Sequence, residues 1–165
     1  MKGSSQGPKD KVLHASNYGV SGNEYITCGE KHALVWKLAH DTPKSEAIKL
    51  GGDKNKIYLC AQRMGEVGVL ATAEGDLMVI KGIEVGTKKN EAHGKNSINA
   101  LWGNEKGDVL ISGGKDGIIK VWGLGKELTC YSFFNINTVD PKNPNPIRAL
   151  HCNTNNNKII IGTQR

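Results

Sequence analysis

The stretch Ile111-Ser112-Gly113-Gly114-Lys115-Asp116-Gly117-Ile118-Ile119-Lys120-Val121-Trp122 runs as an apolar strand, a turn rich in glycine and aspartate, and a second strand ending in tryptophan. Glycine adopts positive φ at little cost, so such a turn closes a tight hairpin. The pattern occurs twice more: from Tyr25 to Trp36 and, with isoleucine in place of tryptophan, from Val69 to Ile80. The closing positions Trp36, Ile80 and Trp122 stand 44 residues (36 to 80) and 42 residues (80 to 122) apart. Self-similarity at ~40–45 residues marks a repeat in which each unit supplies four short strands.

Period and hairpin together predict an all-β chain, a partial WD-repeat β-propeller of about three and a half blades, each a four-stranded antiparallel sheet. The blades are expected over 11–52, 53–94 and 95–146, with a half blade over 147–165 and a flexible leader over 1–10. In the first blade, apolar runs place strands at 12–15, 24–28, 33–38 and 47–50. In the second they fall at 57–61, 67–72 and 77–81, with 82–86 as a connection and a weak outer strand within 87–92. The third blade reads 98–102, 109–112, 118–122 and 128–134, and the half blade 147–152 and 158–162. Between them, Asn135 to Pro146 carries prolines without an N–H to offer a ladder, so it is expected to project as an irregular excursion. Propellers close at roughly four to eight blades. The arc is therefore expected to belong to a longer protein or to self-associate through its unpaired edges.

Composition agrees with many short strands: aromatic residues are 5% of the chain and there are 21 glycines. No run of ~18 apolar residues exists, and the first ten residues have no apolar h-region, so neither a membrane span nor a signal peptide is read. Cys28, Cys60, Cys130 and Cys152 are scattered through apolar runs without a C-x-x-C pair, and are expected as reduced thiols. The net charge of +6 is spread over dispersed lysines. With no basic helix or aromatic RNA-binding motif, it describes a solvated basic surface rather than a nucleic-acid site.

Four polar residues occur in an order that suits a buried network: His93 ahead of the innermost strand, Ser112 on the next, Asp116 in the turn and Trp122 closing the third. An imidazole held between a hydroxyl and a carboxylate is a satisfied group that locks a blade. A catalytic triad of the same three residue types would need a strained elbow and oxyanion donors, and no Gly-x-Ser-x-Gly is present. Gly113-Gly114-Lys115 and Gly125-Lys126 lack the spacing and the following Ser or Thr of a phosphate cradle. His14, His32, His40 and His151 are isolated, and Asp41, Glu66, Glu74 and Asp76 read as turn or rim residues. No cofactor, metal site or enzymatic activity is expected.

The segments Ile26-Thr-Cys-Gly-Glu-Lys-His-Ala-Leu-Val-Trp36, Glu91-Ala-His-Gly94 leading into Leu110 to Trp122, and Ile160-Ile-Gly-Thr-Gln-Arg165 go beyond a generic blade. In this order and spacing the sequence resembles the echinoderm microtubule-associated protein-like family, over residues 11 to 165. The chain carries neither the trimerising coiled coil nor the Pro-rich entry motif of that family. The resemblance implies a cytoplasmic, cytoskeletal protein that binds tubulin or microtubules. Lys31, Lys54, Lys56, Lys88, Lys89, Lys115 and Lys126 are then the expected contacts to acidic tubulin surfaces. The alternative is a WD-repeat scaffold that docks another protein or peptide in a signalling complex.

Overall fold

The computed structural model describes residues 7–39, 42–137, 144–153 and 158–164. β1 (Val12–Asn17), β2 (Glu24–Gly29), β3 (His32–Ala39) and β4 (Thr42–Ala47) form the first four-stranded sheet, in that order. A 3-10 turn (Gly51–Asp53) leads to the second, made of β5 (Tyr58–Met64), β6 (Val67–Thr72), β7 (Leu77–Lys81) and β8 (Glu84–Lys89). The short β9 (Ala92–Lys95) precedes the third sheet, β10 (Ile98–Gly103), β11 (Val109–Gly114), β12 (Ile118–Leu124) and β13 (Leu128–Asn135). β14 (Ile147–Asn153) and β15 (Lys158–Thr163) make a two-stranded sheet. Every pairing within the four sheets is antiparallel.

The first strands of successive sheets, β1, β5, β10 and β14, lie side by side in chain order, so the sheets fan out from a common line. The core sits between neighbouring blades rather than inside any one of them. Ile26, Cys28 and Val35 of the first sheet meet Tyr58, Leu70 and Met78 of the second. Met64, Val69 and Leu77 of the second meet Ile98, Leu110 and Trp122 of the third. Ala100, Ile111 and Ile119 of the third close on Ile147 of the two-stranded sheet. A sheet must bury a face to be stable, and here each sheet buries it against the next. Tyr18 adds a polar tie between the first two blades, its hydroxyl donating to the Gly82 carbonyl at 2.8 Å.

Two outer strands differ from the sequence expectation. In the first blade the apolar run at 47–50 is a crossover, and the outer strand is the polar Thr42–Ala47. Ile48 is buried and Leu50, like Val85, packs against the apolar layer between the first two blades, while Lys49 bridges to Glu84 of the next blade. Apolarity there serves the interface between blades, not the strand. In the second blade 82–86 is not a connection. Gly82, at φ +60°, opens a two-residue turn with Ile83, so that Lys81 pairs Glu84 and β8 starts at once. The leader residues 1–6, His40-Asp41, and 138–143 of the proline-bearing excursion lie outside the described residues.

Candidate functional site

β11 and β12 place Ser112 and Trp122 on the same buried face, because Trp122 pairs Leu110 and Ser112 stands two residues further along the same strand. The Trp122 indole N–H donates to Ser112 Oγ at 2.8 Å. His93, on β9, brings Nε2 to 2.7 Å from the same oxygen and Nδ1 to 3.0 Å from an Asp116 carboxylate oxygen. With Asp116 accepting from Nδ1–H, Nε2 is the acceptor for the serine hydroxyl, and the chain runs Trp122 to Ser112 to His93 to Asp116. Asp116 also accepts the Ile118 N–H at 3.0 Å, which holds the carboxylate in the turn. Gly114 makes room: a Cβ there would lie 2.4 Å from Asp116 Oδ1 and 2.5 Å from His93 Nδ1.

The structure thus gathers His93, Ser112, Asp116 and Trp122 into one network. Ser112 has no exposed surface, and its oxygen serves two ring nitrogens. A nucleophile needs a substrate at that oxygen, and the site offers none a path. At the other closing positions, Trp36 donates to Thr27 Oγ1 at 2.8 Å, a reduced form of the same device, and Ile80 is fully buried in apolar contacts.

The expected partner-facing lysines divide. Lys31, Lys54, Lys89, Lys115 and Lys126 are exposed. Lys56 and Lys88 are not free. Lys56 Nζ pairs with Asp76 and, at 3.1 Å, with Asp53, while Lys88 reaches both oxygens of Asp53 at 2.8 Å. These two lysines satisfy carboxylates at the join between blades instead of presenting charge to solvent. Asp76, read from sequence as a turn or rim residue, is buried and also accepts the Glu91 N–H at 2.8 Å. No local motif signals this cluster, because Asp53, Asp76 and Lys88 meet only when two loops and an outer strand converge.

Cys28 and Cys60 are buried, Cys130 is exposed and Cys152 lies between, all as free thiols. Burial pushes the Cys28 thiol up to about 12. Burial holds His14 below the ordinary imidazole range, against an opposing backbone contact with Ala61. His32 Nδ1 meets the Glu30 carbonyl at 2.9 Å. Among the described residues no group of three or more His, Cys, Asp or Glu side chains is placed to hold a metal ion, and no helix is long and apolar enough to cross a membrane. Where the inner strands end, Ser16, Gln62, Arg63, Trp102 and His151 line an open cavity of about 760 Å³.

No family model matches the chain. Among solved structures, it is similar to the β-propeller domain of Myceliophteria thermophila Cps50 (Swd1), at 14% identity and TM-score 0.77, over 95% of this chain and 54% of that one. It is similar to the RRP9 WD40 repeats, at 15% identity and TM-score 0.75, over 95% of this chain and 48% of that one. The U3-55K structure matches at 15% identity and TM-score 0.74, over 95% and 49%. The fold is a partial WD-repeat β-propeller.

The chain spans about half the length of these solved propellers. At such identities the likeness carries the fold alone. The cytoskeletal expectation drawn from motif order gains no support from these comparisons.

Proposed function

We propose that this chain is an arc of a non-catalytic WD-repeat propeller that serves as a protein-interaction scaffold. The observation that supports this reading most is the engagement of its triad-like set. Ser112, His93 and Asp116 are spent on each other and on Trp122 inside the blade, so recognition falls to loops and strand edges. The test pairs two measurements on the folded chain. Purified candidate partners are passed over immobilised chain, and hydrolase activity is assayed beside Asp116→Asn. Retention of a purified partner without turnover supports the scaffold. A hydrolytic activity abolished by Asp116→Asn, with the fold intact, overturns it.

A second reading, binding to tubulin or microtubules, draws on the motif order and on the exposed Lys31, Lys54, Lys89, Lys115 and Lys126 of a chain with net charge +6. Co-sedimentation with microtubules and gel filtration with soluble tubulin test it. Binding that weakens steeply with salt is the expected result, since steering by exposed charges is screened. Absence of binding at low salt removes this reading and leaves the general scaffold.

A further inference from the structure

Among the described residues, each four-stranded blade ends in an outer strand with no strand paired beyond it. Open edges pair with foreign strands unless something prevents it, commonly a proline or charged side chains. β4 carries Pro43, Lys44 and Glu46, and β8 carries Glu84, Lys88 and Lys89. β13 reads Leu-Thr-Cys-Tyr-Ser-Phe-Phe-Asn, with neither charge nor proline. Both phenylalanines of the chain lie on it. Tyr131, Phe133 and Phe134 are 73%, 66% and 52% exposed. Aromatic rings contribute most when buried; consecutive strand residues face opposite sides, so Phe133 and Phe134 leave exposed aromatic surface on both faces of an uncharged edge strand, a feature that marks an interaction site.

The backbone beside those rings is also available. Ile136 N–H donates to Gly117 O on the β12 side. By the alternation of an antiparallel ladder, the Phe133 and Asn135 N–H groups then point away from the sheet. The turn ahead of β13 presents exposed Lys126, with Glu127 beside it offsetting part of the charge; towards the other end, the β11–β12 turn carries exposed Lys115, three residues before Ile118, the partner of Asn135. A second copy of this chain is a poor occupant. Antiparallel self-pairing about a two-fold would set Lys126 of each copy against the Lys115 end of the other, on chains each carrying +6.

We propose that β13 is the docking edge for an extended acidic segment of a partner protein. The segment adds as a fifth strand, sets apolar or aromatic residues at alternate positions against Phe133, and brings carboxylates to Lys115 and Lys126. This deepens the scaffold reading and rests on it.

The probe is a fluorescein-labelled peptide, Asp-Asp-Val-Thr-Phe-Thr-Val-Asp-Asp, followed by anisotropy. Controls replace its flanking aspartates with lysines or its central phenylalanine with proline. The Asp-flanked peptide is expected to bind roughly tenfold or more tighter than either control, about one hydrogen-bonded or aromatic contact's worth. Phe133→Lys should weaken it by a similar factor without moving the thermal midpoint, because Phe133 is exposed, and bound peptide should protect the Phe133 amide from exchange. Equal binding to wild type and Phe133→Lys overturns the assignment, as does no binding to the folded chain. So does a dimer in sedimentation that Phe133→Lys abolishes. If a purified partner is held equally by wild type and Phe133→Lys, the scaffold reading stands and the β13 assignment falls.

Discussion

The indole N–H of Trp122 and the imidazole Nε2 of His93 converge on one oxygen, Ser112 Oγ, in a buried site. Ser112→Ala removes that oxygen and leaves both ring nitrogens without a partner. A buried polar group left unsatisfied costs about 1–3 kcal/mol, so a loss on the order of 2–4 kcal/mol is expected for the pair. Urea unfolding monitored by tryptophan fluorescence measures it. A loss below about 0.5 kcal/mol would mean that the network relaxes without strain, and that apolar packing alone holds the third blade.

The same blade gives a steric prediction. Gly114 touches Asp116 and His93 at distances that no Cβ tolerates. Gly68, in the second blade, faces the Tyr18 ring in the same way, with a Cβ placed 2.5 Å from Tyr18 Cε2 and 2.9 Å from Ile80 Cγ1. Gly68→Ala must displace a buried ring whose hydroxyl is tied to Gly82, so overpacking of about 1–3 kcal/mol is expected. Gly68→Ala in a Tyr18→Leu background should cost less than in wild type, and equal costs in the two backgrounds would show that Tyr18 is not the obstacle.

Much of this architecture was legible because the repeat writes itself into the sequence. The inner hairpins at 67–72, 77–81 and 118–122 follow from apolar runs around turns, and His93, Ser112, Asp116 and Trp122 stand in an order that a blade network needs. The outer strands were less legible for a physical reason. β4 and β8 face solvent, so polarity hides them, while the apolar Ile48 and Leu50 are recruited by the next blade. Asp53, Asp76, Lys56 and Lys88 escape local reading because their pairing is long-range. The exposed rings of β13 carried a readable signal, the contrast with polar outer strands elsewhere. That contrast appears only once the outer strands are correctly placed.

Thiol reactivity should follow burial. Cys28 is enclosed between the first and second blades and Cys60 between the second and third, and burial raises both thiols, Cys60 well above its usual value with a smaller push from Cys28. The thiolate is the reactive form. In native chain, iodoacetamide is expected to label the exposed Cys130 first and Cys152 next, and to reach Cys28 and Cys60 only under denaturant. Peptide mass mapping over a time course reads the order. Early labelling of Cys60 would show that the second and third blades separate readily.

The acid response should centre on Asp53. Burial would raise its carboxyl, but hydrogen bonds and charge from Lys88 and Lys56 outweigh that and hold it below the usual range. A folded-state value below the unfolded one contributes stability that is fully present above the unfolded value, near pH 4. That stability is lost as pH falls through the folded value. Lys56 acts at the opposite end: burial lowers its affinity for the proton, yet Asp76 and Asp53 raise it overall. Its contribution is complete below the ordinary lysine range near pH 10.4 and is lost as pH rises through the folded value. Asp53→Asn should therefore lower stability at neutral pH by on the order of 1 kcal/mol or less, given the partial exposure of the pair, and flatten the acid limb of the urea midpoint between roughly pH 5 and pH 2. If the variant and wild-type acid limbs superimpose, the Asp53–Lys88 pair contributes no net stability, and the blade junction is held by its apolar layer alone.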